Sequence, residues 1–206
     1  MYKRDVYIIR CLGLKNADGL VRVMQFVQCT IRQSLSGCYN QMLDIDDKGL
    51  QSKALWSNKR KSLEYTIANK DKLYKTIVRL KDKTNDVGAI TELMYMLTEV
   101  PNLGMVKAGF VLQMLGFNVA CLDSHNLKRL GMKPADVSLS KGLKKDTKIK
   151  KISKYIKFTQ KKGTAYWWDS WCDYVAGNRG NKALTNGDMV SEFHVKCIIN
   201  RSNNHD

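Results

Sequence analysis

Proline occurs at only two of 206 positions, Pro101 and Pro134. A proline inside a helix removes a backbone donor and clashes with the preceding turn, so long proline-free stretches leave helices uninterrupted. Both prolines sit where an element can end, and the chain therefore reads as all-α. Apolar spacing agrees. Leu20, Val23, Met24, Val27 and Ile31 form one stripe along 20–35, which predicts an amphipathic helix. Gly37 is expected to break it, and NQMLDIDDKG (40–49) reads as loop. Asp44, Asp46 and Asp47 in that loop suggest calcium, but the glycine and glutamate of an EF-hand are not at their positions.

The pattern Leu63, Ile67, Leu73, Ile77, Leu80 predicts one long helix between Lys59 and Lys81, or two meeting near Asn69. TNDVG (84–88) is a turn and AITELMYMLTEV a helix. Pro101–Gly104 is then a tight hairpin, and MVKAGFVLQML a second helix that closes at Gly116. SHNLKRLG makes one more short helix, with Gly131 as its stop. TAYWWDSWCDYVAG is helical and apolar nearly all round, and NRGNKALTNGD is loop. VSEFHVKCIIN is a last helix or an ordered edge, and the N-terminal DVYIIRCLGL is compatible with strand or helix.

The length suits one domain, or two small lobes in intimate contact, spanning 1–206. No apolar run approaches the roughly 20 residues needed to cross a bilayer. Arg10 interrupts the first apolar run and no small-residue cleavage site follows, which argues against a signal peptide and for an intracellular protein. Cys11, Cys29, Cys38, Cys121, Cys172 and Cys197 are dispersed with no CxxC spacing, so reduced and mostly buried thiols are expected rather than a zinc or iron–sulfur site. His125, His194 and His205 are too scattered to hold a metal. No cofactor is expected.

Charge carries more information. Thirty-five Lys and Arg stand against nineteen acids, which flags a polyanionic partner. The segment 141–162 alone holds ten lysines and one acid. Ile149, Ile152, Tyr155 and Ile156 recur there at helical spacing, so it reads as an amphipathic helix with a basic face. That face is either solvated or in contact with phosphates through Lys144, Lys145, Lys150 and Lys151.

The stretch 91–131 contains the motif most suited to chemistry. A helix, an apolar-Pro-Asn-Leu-Gly turn and a second helix make the shape of a helix-hairpin-helix. Gly104 lets a phosphate approach the backbone, and the first amides of the second helix are free donors at a positive dipole end. Asn102 stands where left-handed geometry is expected. A plain αα-hairpin in a helical core has the same outline. Beyond it, the apolar run FNVACL ends abruptly on Asp123, Ser124 and His125. Asp followed by Ser-His-Asn is what a helix N-cap looks like, and the free amides and dipole there favour negative charge.

Taken together, Pro101, Leu103, Gly104 and Ala108, then Asp123, Ser124 and His125 at their spacing, resemble the helix-hairpin-helix DNA glycosylases of the endonuclease III-like superfamily. WWDSWCDYVAGNRG extends the likeness, which covers about 88–180. The resemblance implies a two-lobed helical fold with a cleft for double-stranded DNA between the lobes. It also implies that Asp123 is the catalytic carboxylate, supporting cleavage of the base–sugar bond. Asn102, Gly104, Lys107, Ser124, Lys128 and Arg129 become candidate DNA contacts. Trp167, Trp168 and Trp171 are core residues or stacking partners for an extruded base. Val106 stands where bifunctional members carry a Schiff-base lysine, and Lys107 is one position later, about 100° around the helix. The likeness therefore implies a monofunctional route, with Lys107 a phosphate contact or a surface residue. The iron–sulfur cysteines of one branch are also missing. A phage branch that modifies thymines on the same scaffold, and a module that only binds DNA, remain alternatives.

Overall fold

A computed structural model describes residues 2–140, 142–177 and 184–199. Among these residues the regular structure is helical and no strand occurs. The helices are α1 (Tyr2–Gly13), α2 (Ala17–Cys29), α3 (Leu35–Lys48), α4 (Ser57–Ala68), α5 (Lys70–Arg79) and α6 (Val87–Thr98). They continue with α7 (Met105–Met114), α8 (Ser124–Arg129), α9 (Lys145–Gln160), α10 (Thr164–Val175) and α11 (Gly187–Ile199). The open N-terminal segment and the C-terminal segment are thus both helices.

The first stripe belongs to a helix more deeply set than its periodicity implied. α2 packs against α1, α3, α4, α5, α7 and α11, and every residue from Arg22 to Cys29 is buried. Two of its three buried polar side chains, Arg22 and Gln28, are paired, while Gln25 leaves its amide nitrogen without a partner among the described residues. Arg22 forks onto Asp46 at 2.5 and 2.9 Å and donates to the carbonyls of Ile198 and Cys197. Gln28 donates to Thr66. Each large apolar chain on this helix contributes about 1.5–3 kcal/mol by leaving water.

Two expectations around this helix are corrected. It ends at Cys29 rather than running to residue 35, and 40–49 is mostly helix rather than loop. Ser34 starts α3 by accepting the amide of Gly37 at 3.1 Å, which places that glycine in a first turn instead of a break. Leu35, Cys38, Met42 and Ile45 then bury one face of α3. Tertiary pairing overrides the weak helix propensity of the aspartates: Asp46 meets Arg22, while Asp44 accepts from Lys48 and Ser52. Elsewhere the expected elements occur with shifted ends. Val87 and Gly88, read as turn, open α6, and Gly187 and Asp188, read as loop, open α11. The basic helix spans Lys145–Gln160 instead of 141–162. α4 and α5 meet at Asn69, and Asp86 caps α6 by accepting the amide of Ala89.

Three features bring the middle of the chain into one wall. α6 packs on both α7 and α9. Arg10, which interrupts the apolar run of α1, donates to Leu115 O and Lys81 O, carbonyls just beyond the ends of α7 and α5. Gly109 on α7 lies so close to the segment 117–122 that an added Cβ would meet Ala120 O at 3.1 Å and the Tyr155 ring at 3.4 Å. Gly131, at φ 63, terminates α8 as its position implied.

Candidate functional site

The connection from α6 to α7 is the hairpin read from the sequence. Asn102 occupies the left-handed region at φ 62, and its side-chain amide donates to Asn58 O at 2.9 Å, tying the turn to the start of α4. Leu103 is buried under the turn, while Gly104 is exposed at an ordinary φ of −69. Nothing lies within 4 Å of a Cβ built there, and α7 begins with no side-chain cap. The protein's own packing thus does not demand glycine at 104; the open space on that side leaves the first amides of α7 approachable.

The chain from Phe117 to Leu122 is neither helix nor strand, so its backbone groups need other partners. Backbone carbonyls take the amides of Phe117, Asn118 and Val119, and side chains serve those of Cys121 and Leu122. Gln113 accepts the amide of Cys121 at 2.9 Å, and Asn126 donates to Cys121 O at 3.1 Å. The Tyr155 hydroxyl donates to Ala120 O at 2.6 Å and accepts from Leu122 N at 3.0 Å. These bonds, from α7, α8 and α9, deliver Asp123 to a defined place.

Asp123 is the N-cap of α8. Its Oδ1 accepts the amides of His125 at 3.2 Å and Asn126 at 3.0 Å. Its Oδ2 accepts the indole N–H of Trp171, on α10, at 2.9 Å. Three donors thus converge on one half-buried carboxylate, two from its own helix and one from 48 residues away. Such an arrangement complements negative charge and fixes the direction of the remaining lone pairs.

That carboxylate faces a cavity of about 1140 Å³. Its walls come from the α2–α3 connection, the hairpin and α7, the Asp123 segment, residues 134–140 and α10. Trp167, Trp168 and Trp171 all line it, with Phe110. Trp167 and Trp168 are each 2% exposed and donate to Thr159 O and Ser191 Oγ, so they are core residues with one edge on the cavity. Trp171 is half-buried and more open to it. Behind these rings lies His194, fully buried, in contact with Phe26, Phe110, Trp168 and Trp171 at centroid distances of 5.1–6.4 Å. Its Nδ1 is bonded to Val190 O, its Nε2 has no partner, and burial lowers its pKa to about 4. Cys121, on the same wall, is held as the neutral thiol by burial, with its pKa pushed up to about 12.

The predicted contacts divide. Asn102, Gly104, Lys107, Ser124 and Asp123 border one cavity. Lys128 and Arg129 are exposed on α8 outside it, and Arg129 donates to Ser170. Lys144, Lys145 and Lys150 are exposed around the start of α9, away from the cavity; Lys148, not singled out from sequence, lines it instead. Lys151 is committed to the carbonyls of Ala135 and Ser138. Lys107 departs most from expectation. It is half-buried in the cavity wall, donating to Thr30 Oγ1 at 3.0 Å and lying 5.2 Å from the Phe110 ring centre. The position one step along α7 from the expected lysine site therefore still presents an amine to the interior.

No family model, curated protein or solved structure matches this chain. Among the described residues no helix is long and apolar enough to cross a membrane, and no three His, Cys, Asp or Glu side chains gather as metal ligands. The six cysteines are free; Cys29, Cys38, Cys172 and Cys197 are buried.

Sequence reasoning did not find Gln113, Tyr155, Asn126 or the indole bond of Trp171. The first two left a faint signal. Gln113 is, with Lys107, one of two polar side chains in an otherwise apolar helix, and Tyr155 a lone hydroxyl in an apolar stripe; buried polar groups of that kind need partners.

Proposed function

We propose that this chain acts on a base of double-stranded DNA, breaking the base–sugar bond by a route in which Asp123 is the catalytic residue and no covalent lysine intermediate forms. In this reading the helices form two lobes of the glycosylase type, and DNA lies across the mouth of the cavity. The observation that carries it is the shared position of Asp123, three indole rings and the hairpin around one cavity. A base entering there would stack on the half-buried Trp171, and its deoxyribose would come near the carboxylate as positive charge develops on the sugar. Asp123 would stabilise that charge or orient the attacking water. The hairpin would hold a flanking phosphate at the exposed Gly104 and the uncapped start of α7.

The lysine excess supports the same partner. Exposed Lys144, Lys145 and Lys150 would add affinity without reading sequence. A second reading is favoured by the size of the cavity. At about 1140 Å³ it has room for more than a bare base. An elaborated base, such as a hypermodified thymine, fits that volume better, with substitution at the base in place of excision.

The test is incubation with duplexes carrying single damaged, mismatched or modified bases, followed by mass spectrometry of the nucleosides. An abasic product supports excision, and an altered thymine supports substitution. Tight, salt-sensitive duplex binding with neither product across the panel would reduce the chain to a binding module.

A further inference from the structure

The cavity is not neutral. Asp123 is the one acid among its described lining residues, against Arg32, Lys107 and Lys148. Lys148 has Glu99 at 3.9 Å on its outer side, and Arg32 is exposed at the rim. Lys107 is the inner cation. It sits on the aromatic wall beside Phe110, and its charge is felt by buried Cys38 and His194 and by half-buried Cys121. Its ammonium carries three donors, and the described protein gives it one acceptor, the Thr30 hydroxyl, with no carboxylate paired to it. Asp123 is not that partner: its oxygens bond to His125 N, Asn126 N and Trp171 Nε1, and the Lys107 ammonium to Thr30.

The ammonium is held in place on the cavity wall by the Thr30 bond, so an anionic ligand entering there would meet a positioned donor. The wall beside the ammonium includes the aromatic side chains of Phe110, Trp167, Trp168 and Trp171. The complementary ligand is therefore an aromatic ring bearing an anionic oxygen group, seated with the ring against the indoles and the anion at Lys107. We propose that Lys107 selects such a ligand: a base whose ring carries a carboxylate, or a nucleotide whose own phosphate reaches the amine. This deepens the proposed action on a DNA base and rests on it for the source of the ligand, though not for its chemistry.

The two sources separate by experiment. Wild-type protein is titrated with two duplexes of identical sequence, one bearing a single thymine and the other 5-carboxyuracil, which replaces the methyl group by a carboxylate. It is titrated separately with thymidine, thymidine monophosphate and 5-carboxy-2′-deoxyuridine. The carboxyl duplex should bind roughly tenfold tighter or more, as expected of a charge-assisted hydrogen bond. Lys107→Met and Lys107→Gln should abolish the preference, weakening the carboxyl duplex far more than the thymine duplex, and Lys107→Arg should retain part of it. If the monophosphate alone gains over thymidine, the phosphate is the group recognised.

Equal binding of every anionic and neutral pair by the wild type overturns the proposal, even if the variants do not fold. So does a preference that survives Lys107→Met. Duplex binding with no carboxyl preference leaves the DNA reading standing and removes this one. Lysine-dependent binding of the free anionic nucleoside, with no binding of either duplex, does the reverse.

Discussion

Two aspartates in this chain begin helices in nearly the same way and end in different situations. Asp86 opens α6 and gives one oxygen to the amide of Ala89 at 2.6 Å. Asp123 opens α8 and gives one oxygen to two amides. Locally both are N-caps, built from the same preference for a short acceptor before a helix. Asp86 is exposed, whereas Asp123 faces a cavity and its second oxygen receives an indole N–H from α10. Capping thus explains why an aspartate stands at each place. It does not explain why a distant tryptophan should orient the far oxygen of one of them. That extra donor, and the space beside it, separate a helix start from a site.

Substitutions at the two caps give the largest contrast. Asparagine preserves the cap but not the charge, so Asp123→Asn should keep the fold and lower any base-directed rate on the order of 10²–10³-fold, whereas Asp86→Asn should leave that rate unchanged. Comparing the two by single-turnover kinetics decides it. Equal rates in both variants would make Asp123 merely another cap.

Acid provides a second contrast. The pKa of His194 is lowered to about 4 by burial, and this ring touches Trp171, which holds Asp123. Between its ordinary value near 6.5 and that lowered one, the unfolded chain binds a proton that the folded chain refuses. Stability therefore falls as pH drops through this window, by about 3 kcal/mol at most from this group. Urea unfolding at pH 7 and 4.5, set against His194→Gln, should give a shallower pH dependence in the variant. Hydrogen exchange should show the α8 amides loosening in acid before those at the start of α6.

Trp171→Phe keeps the ring and removes the indole donor. The proposed reaction should lose roughly tenfold or more in kcat with KM little changed, since a hydrogen bond to a charged group is typically worth about 1.5–3 kcal/mol. Trp167→Phe breaks a bond to Thr159 O instead and should cost stability without that kcat effect. The basic face gives a smaller and more diffuse response. Replacing Lys144, Lys145, Lys150 and Lys151 by Ser should flatten the salt dependence of duplex binding by up to about 0.9 for each phosphate no longer neutralised. Lys151 should contribute least, because it already serves two backbone carbonyls. The smallest change expected is Asp86→Ala, about 1 kcal/mol of stability measured by thermal unfolding.

Periodicity and punctuation alone made much of the helical framework legible. The scarcity of proline, the stripes on α2, α4, α5 and α9, the hairpin at 101–104 and the stop at Gly131 are properties of neighbouring residues, and local sterics decide them. The same holds for Asp123 as a cap. Where local preference and tertiary contact disagreed, the sequence misled: the aspartate-rich stretch before Gly49 is helical because Arg22 and Ser52 reach it from other elements.

The site itself was decided only by the folded chain. Trp171 meets Asp123 across 48 residues, and Tyr155 and Gln113 hold a segment that has no regular structure of its own. Lys107 looks outward-facing when counted from the hairpin, yet it turns inward because Thr30 and Phe110 are there to receive it. Spacing along one helix specifies a direction relative to that helix. Whether that direction ends in solvent or in a cavity depends on what the other helices bring, and no local pattern encodes it.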